Sequence, residues 1–564
     1  MRISPACLMV LWGILLLSQL PATAATVEAF DTVIVNGHIV DGTGSPWYSG
    51  DLGIRDGRIE AIGNLAASPR RQTIDAGGHV VAPGFIDMLG QSELTILVDP
   101  RLPSKIYQGI TTEITGEGNS VAPLNDKMIA SNGDYAHLRI TPDWRTLRQY
   151  FARLERQGIG INLASYVGAT TARRMVLGDA DVQPSDQQLT AMRRLVRQAM
   201  QDGAVGLSTA LQYAPAPYAK SEELIALASE AAQYGGIYAT HMRSEGDSET
   251  AAIDEAVRIG REARIPVEIW HLKVAGRANW GKMPQVVAQI EAARASGIDI
   301  SANTYAYPAW FNGFSAFVPP WAHDGGNAAL IERLKDPATR ARIRRDLLAP
   351  SSDWDNEWQE IPGPEAIQIA VVHEPSLLPL QGKRLSAVAE EWHEDPIDAL
   401  CDLLIKDKAQ TSVAVFGMSD ADVALALKQP WVSIDNDSQG TAPEGLLGQE
   451  HPHPRAYGTF PRILRKFVRE DHVLGLEEAI RKFSALPAQR MRLGDRGVLK
   501  RGMWADVVIF DPATIRDLAT FEQPNQLSEG MQYVLVNGVA VIAEGKMTGA
   551  RPGKVLRGRG YAGP

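Results

Sequence analysis

Cysteine is nearly absent from this chain: its 564 residues contain two, Cys7 and Cys401. Cys7 falls in the apolar stretch from Ala6 to Leu20, which follows Arg2 and precedes the small residues Ala22-Thr23-Ala24. A positive residue, a short apolar core and a small-residue site form a secretory signal, expected to cover residues 1–24 and to be removed on export. The stretch is short for the roughly 20 apolar residues that span a bilayer, so no membrane anchor is expected after cleavage. No small-residue site precedes Cys7 to mark it for a lipid. The mature protein is then expected to be periplasmic or secreted, with Cys401 as its sole thiol. That excludes an intramolecular disulfide in a compartment that would favour one, and stability has to come from a core.

Also missing is any run of lysine and arginine interleaved with aromatics. With a formal charge of −10, the electrostatic attraction behind nucleic-acid binding has no source, and such a partner is excluded. Internal repeats and low-complexity tracts are absent too. What remains is ordinary globular composition, 45% hydrophobic and 22% charged, in a mature chain of about 540 residues that is ample for a large core.

From Phe30 to about Val81 the chain reads as short strands and turns, with Asn36-Gly37 and Asp56-Gly57 as hairpin signals. The far end repeats the style in Ala505 to Asp511 and Tyr533 to Val541. Neither end has enough strands to bury a face alone, so one small β-sandwich assembled from residues 25–82 and 486–564 is expected. Between them, residues 83–485 alternate apolar β-prone runs with helical patterns such as Asp186 to Gln201 and Ser221 to Tyr234, the sequence form of a parallel α/β structure. Candidate strands end near Asp87, Glu117, Val167, Leu211, His241, His271, Asn303 and Asp437, eight as in a (β/α)8 TIM barrel, which the family resemblance given below implies in distorted form. The interval of about 311–410 is too long for one βα unit. With Pro319-Pro320, Pro350, Trp354 and Trp358, it reads as an insertion over the catalytic face.

His241 and His271, 30 residues apart, each close a β-prone run. The spacing matches the roughly 30 residues per unit of eight βα repeats in about 250 residues, so two imidazoles can end adjacent strands on the catalytic rim and ligate zinc. Glu117, between Gly116 and Gly118, is a candidate third ligand; three protein ligands and an open position make a catalytic zinc site. Asp437 closes the last candidate strand and suits proton transfer, but Asp435 competes, because alternation puts both on one side. Lys273 and Arg455 are cations suited to an anionic substrate group or, more simply, to rim salt bridges. His38, His79 and His373 read as structural, and His451 and His453 have no evident ligand geometry beside their prolines.

The segments Ala82-Pro83-Gly84-Phe85-Ile86-Asp87, Gly109-Ile110-Thr111-Thr112-Glu113, Thr240-His241-Met242-Arg243-Ser244-Glu245-Gly246, His271-Leu272-Lys273, and Pro454-Arg455-Ala456-Tyr457-Gly458-Thr459-Phe460-Pro461-Arg462 occur in one order. In this the chain resembles the N-acyl-D-amino-acid deacylase, or D-aminoacylase, family of the amidohydrolase superfamily. The resemblance implies one Zn²⁺ held by Glu117, His241 and His271, with Glu117 where the family usually has a bridging Cys. It also implies Asp437 as the catalytic acid and base, and Lys273, Tyr305 and Arg455 holding the α-carboxylate of a small anionic substrate.

Two positions depart from the family. Its His-x-His after the first strand falls on Leu89 and Gln91, which largely dismantles a second metal position. Asn303 stands where relatives often carry Asp. The fourth candidate strand, Ala204 to Leu211, lacks the lysine that would be carboxylated in dihydropyrimidinase and dihydroorotase relatives. The expected reaction is hydrolysis of N-acyl-D-amino acids, with two alternatives: a dipeptidase releasing C-terminal D-residues, and a binding protein on a decayed hydrolase scaffold.

Overall fold

The computed structural model describes residues 29–351 and 353–563; the expected signal, with Cys7, lies outside them. Eight parallel strands form the centre: Phe85–Asp87, Ile110–Thr115, Asn162–Ser165, Gly206–Ala210, Ile237–His241, Val267–Ile269, Ile300–Thr304 and Val432–Ile434. Each expected strand end falls within three residues of an observed one. The third strand runs on as Val167–Gly168, which pairs with the fourth. The last strand returns to the first through Met88 N to Ile434 O at 3.3 Å and Asp437 N to Leu89 O at 2.8 Å, and the barrel closes.

These strands are short and almost wholly buried, Ser301 alone among their residues being half-buried; Ile237–His241 is buried at every position, as a parallel strand between a packed interior and a helical shell must be. Ile86, Ile114, Ala164, Ala239 and Trp270 share one interior core, and Leu89 packs in it fully buried. The helices carry their own stop and start signals. Ser185 and Gln188 form a capping box on Asp186–Asp202, and Thr146 and Gln149 do the same on Leu147–Gln157, satisfying first-turn N–H groups that would otherwise be unpaired.

The two ends of the chain meet in one nine-stranded sheet. Val507–Phe510 pairs antiparallel with Val80–Pro83, which lies beside the second half of Phe30–Ile39. Ile34, Leu52, Ile59 and Val81 from the first end share a core with Leu499, Val507, Ile509 and Leu535 from the second, so neither half buries its face without the other. Asp56-Gly57 and Asn537-Gly538 are tight hairpin turns with positive φ at both residues.

Asn36-Gly37 is not a hairpin turn, contrary to the expectation from its dipeptide. It lies inside Phe30–Ile39 as a bulge where the register shifts. Asn36 has φ +57°, and a Cβ on Gly37 would lie 2.5 Å from Val81 Cγ2. The same left-handed preference that makes a turn here lets one strand bend and exchange its partner, from Arg70–Asp75 to Val80–Pro83.

The segment between the seventh and eighth barrel strands builds a separate three-stranded antiparallel sheet, Trp310–Gly313, Ser412–Val415 and Ile367–Val371, with helices packed on it. Its Trp310, Asn312, Asp355, Glu357 and Glu360 wall the cavity at the barrel mouth, which places this insertion over the rim that carries the two histidines.

Candidate metal centre

Glu117, His241 and His271 converge at the ends of the second, fifth and sixth strands. Glu117 Oε1 lies 3.2 Å from His241 Nδ1 and 3.5 Å from His271 Nε2, and the three ligand atoms lie within 4.8 Å of one another. Tetrahedral zinc with ligands at 2.0–2.2 Å requires ligand separations of about 3.4 Å. The rings stand edge to face, 82° apart, with centroids 4.6 Å apart, so their nitrogens point at a common centre rather than stacking.

The far side of each ring is anchored. His241 Nε2 donates to Gln212 Oε1 at 2.8 Å, leaving Nδ1 to face Glu117. His271 Nδ1 lies 2.9 Å from Glu245 Oε1, leaving Nε2 turned inward. Such partners orient the rings; at His271, Lys273 Nζ lies 2.7 Å from the same Nδ1 and competes with Glu245 for that nitrogen. Glu245 is itself held by Lys273, whose Nζ donates to both of its oxygens at 2.7 Å. Glu245 is buried, yet Lys273 and the imidazoles hold its carboxyl well below the usual range. Despite burial and the Lys273 charge, the neighbouring carboxylates raise His271 to about 10. Two imidazoles with inward-facing nitrogens, one carboxylate and surroundings that attract positive charge fit a zinc ion, whose binding would displace the extra proton that His271 holds in its absence.

His271 and Asp437 both have left-handed backbone, at φ +39° and +43°. For L-residues this conformation is costly, and it re-aims a side chain at a strand end. His271 N donates to Asn303 Oδ1 at 2.7 Å, while Asn303 Nδ2 donates to Glu268 Oε1 at 3.0 Å. The amide suits both contacts; an aspartate there would set two carboxylates together.

The competition between Asp435 and Asp437 is decided by tertiary structure. Asp437 lines the cavity, with Oδ2 2.8 Å from Arg455 Nη1 and Oδ1 accepting from Gln91 Nε2 at 3.2 Å. Burial raises its carboxyl above the ordinary value, with Arg455 opposing. Asp435 is fully buried, and neither of its carboxylate oxygens has a hydrogen-bond partner among the described residues; burial raises its pKa well above the usual range.

Of the three residues expected to hold a carboxylate, Lys273 reaches the cavity. Arg455 lies behind Asp437, buried, with its guanidinium 4.7 Å from the Tyr305 ring centroid. Tyr305 is buried with it, its hydroxyl 3.6 Å from Met418 Sδ. Gln91 also donates to Glu117 Oε2 at 2.7 Å, so one amide joins the carboxylate of the candidate ligand set to that of Asp437.

Several contributors carry no signal in the sequence. Behind Asp437, fully buried Lys105 donates to Asp87 Oδ2 at 2.8 Å, Asn436 Oδ1 at 2.9 Å and Ser438 O at 2.7 Å, tying the last loop to the first strand. Gln212 sits in an unremarkable Leu-Gln-Tyr, and Tyr213 after it packs its ring 4.8 Å from that of His241. Glu245 had one legible hint, its position four residues after His241.

A second histidine group lies outside the lining of the cavity. His137 Nε2 is 3.1 Å from Glu450 Oε1, His373 Nδ1 is 3.0 Å from Gln410 Oε1, and the rings stack at 4.2 Å and 24°. Face-to-face rings already hydrogen-bonded at these nitrogens form a structural clasp between the insertion and the barrel loops.

A parallel barrel with a carboxylate and two oriented imidazoles at its mouth defines a metal-dependent hydrolase type of site. The chain belongs to the amidohydrolase family, whose model matches residues 72–346 and 446–542. It is 36% identical over 94% of its length to 97% of the N-acyl-D-glutamate deacylase of Alcaligenes xylosoxydans xylosoxydans. It is 35% identical, over 94% of its length and 98% of the relative, to the D-aminoacylase of the same organism. The crystal structure of an N-acyl-D-glutamate deacylase from Bordetella bronchiseptica, complexed with zinc and a phosphonate mimic of the tetrahedral intermediate, is similar at TM-score 0.79 and 34% identity, covering 94% of this chain and all of that one.

Proposed function

We propose that this protein is an exported, zinc-dependent deacylase that hydrolyses N-acyl-D-amino acids to a D-amino acid and a carboxylate. The observation that carries the reading is the convergence of Glu117 Oε1, His241 Nδ1 and His271 Nε2 beside the buried Asp437, in a chain similar along nearly its whole length to deacylases of N-acyl-D-amino acids. Glu117, His241 and His271 hold the metal. Bound zinc polarises the substrate carbonyl and brings the pKa of water from 15.7 to about 7.

Asp437 receives the proton of the attacking water at Oδ1 and returns it to the departing nitrogen. Arg455, on Oδ2, opposes the upward pull of burial on this carboxyl and fixes it in place. Lys273 is the cation that reaches the cavity and serves the substrate's α-carboxylate, while Arg455 and Tyr305 stand behind Asp437 and support that group from the buried side. A carboxylate ligand in place of a thiolate is suited to an oxidising compartment, since zinc accepts both and only the thiolate oxidises. The leader at residues 1–24 supports export to the periplasm or medium.

The test is a screen of N-acyl-D-amino acids, N-acyl-L-amino acids and L,D-dipeptides with zinc content measured on the same preparation. Turnover of the N-acyl-D set at one zinc per chain is the expected result. Preference for the L set overturns the assignment of substrate. Zinc-free protein without metal-stimulated turnover overturns the enzyme.

A further inference from the structure

The cavity that contains the metal site, about 360 Å³, is asymmetric in charge. Three of its carboxylates are answered by partners. Glu117 faces two imidazoles, Glu245 is paired with Lys273 at 2.7 Å, and Asp437 with Arg455 at 2.8 Å. The part of the lining supplied by the insertion carries Asp355, Glu357 and Glu360, all more than nine-tenths buried. No lysine, arginine or histidine among the described residues forms an ion pair with any of the three.

Asp355 and Glu357 are held by neutral donors. Asp355 Oδ2 accepts from Glu245 N at 2.9 Å. Glu357 accepts from Trp310 Nε1 at 3.0 Å, Asn312 Nδ2 at 2.6 Å and Gln212 Nε2 at 3.0 Å.

Glu360 differs from both. With 8% of its surface exposed, it accepts no hydrogen bond and has no ion-pair partner among the described residues, and it lines the cavity. Its place is prepared by two glycines in the loops that follow His241 and His271. A Cβ on Gly246 would lie 1.9 Å from Glu360 Oε1, and one on Gly276 would lie 3.1 Å from Glu360 Cβ. Burial and the neighbouring carboxylates, Asp355 and Glu357 first among them, push the Glu360 carboxyl well above its ordinary range.

A cationic ligand relieves this arrangement, because an unpaired buried carboxylate is costly and a hydrogen-bonded partner of opposite charge removes most of that cost. An anionic side chain, such as the glutamate for which one relative is named, would meet repulsion at this wall.

Resting on the deacylase reading, we propose that the Asp355, Glu357 and Glu360 wall, with Glu360 as the direct partner, binds a second, positively charged group of the substrate. That group is an ammonium or guanidinium carried either on the side chain of the D-residue or on the acyl half as the free amino terminus of an L,D-dipeptide.

The experiment compares kcat/KM of the zinc-loaded protein on N-acetyl-D-lysine, N-acetyl-D-arginine and L-alanyl-D-norleucine with that on N-acetyl-D-norleucine and N-acetyl-D-glutamate. At least one cationic substrate is expected to exceed N-acetyl-D-norleucine tenfold or more, and the arm that does so identifies which end of the substrate carries the charge. Equal or better turnover of N-acetyl-D-norleucine or N-acetyl-D-glutamate overturns the proposal. Glu360→Gln is expected to lower the cationic-to-neutral ratio at least fivefold; an unchanged ratio overturns the role of Glu360. A ratio within one preparation does not depend on its active fraction, and the wild-type ratio decides alone if the variant does not fold. If nothing is hydrolysed, the deacylase reading fails by itself, and calorimetry of N-acetyl-D-lysine and L-alanyl-D-norleucine against N-acetyl-D-norleucine still decides the pocket: tighter binding of either cationic compound supports it, and tighter binding of neither overturns it.

Discussion

Glu245 lies 2.9 Å from the Nδ1 atom of His271 and thereby fixes which nitrogen of that ring faces Glu117. Glu245→Gln removes the charge that favours the ligating tautomer and leaves Lys273 unpaired. Zinc affinity is expected to fall about 10–100-fold, read by competition with a chelator, with secondary structure retained by circular dichroism.

Asp437→Asn keeps the size of the side chain and removes its basicity. Turnover is expected to fall about 10²–10⁴-fold while zinc content stays at the wild-type level. Kinetics and metal analysis on one sample separate the two readouts, and near-wild-type turnover removes Asp437 from the mechanism.

Gln91 hydrogen-bonds both Glu117 and Asp437, and Leu89 is packed in the barrel interior, so the first strand offers no imidazole to a cation. Leu89→His with Gln91→His is expected to raise bound zinc from about one to about two per chain, because imidazole ligates zinc and the replaced side chains do not. Elemental analysis after dialysis checks it; one zinc per chain in the double variant contradicts it.

The hydrogen bond to Glu450 raises the pKa of His137 against the opposing effect of burial, so the folded protein holds this proton more tightly than the unfolded chain. The stabilisation is complete below about pH 6.5, the unfolded value, and is lost as pH rises through the higher folded pKa. The melting temperature of Glu450→Gln is expected to lie further below wild type at pH 5.5 than at pH 8.5, by about 1–2 °C. A gap independent of pH contradicts the linkage.

Phe85 opens the first barrel strand and packs against Phe460, Phe483 and Phe510, with ring centroids 5.6, 4.8 and 6.4 Å away. Phe510 belongs to the terminal sheet, so this ring joins the two units. Phe85→Ala is expected to cost about 3–5 kcal/mol, measured by denaturant titration, and to lower the cooperativity of unfolding.

By itself the sequence determined the eight strand ends, the pairing of the two chain ends and the 30-residue spacing of His241 and His271. The strand ends are a matter of local periodicity, since an apolar run buried on both faces announces itself within a dozen residues, and the pairing of the chain ends follows from neither end having enough strands to bury a face alone. Tertiary structure decided the rest. Alternation placed Asp435 and Asp437 alike, and the positive φ at Asp437 turned one into the cavity while the other stayed in the core. Asn36-Gly37 spelled a hairpin and became a bulge once two partner strands were available to one long strand. Gln91 meets Asp437 across 346 positions through closure of the barrel, and Glu360 reaches the site through the fold of the insertion. Backbone propensity acts between neighbours, whereas the convergence of side chains depends on packing between segments whose distance along the chain leaves no pattern to read.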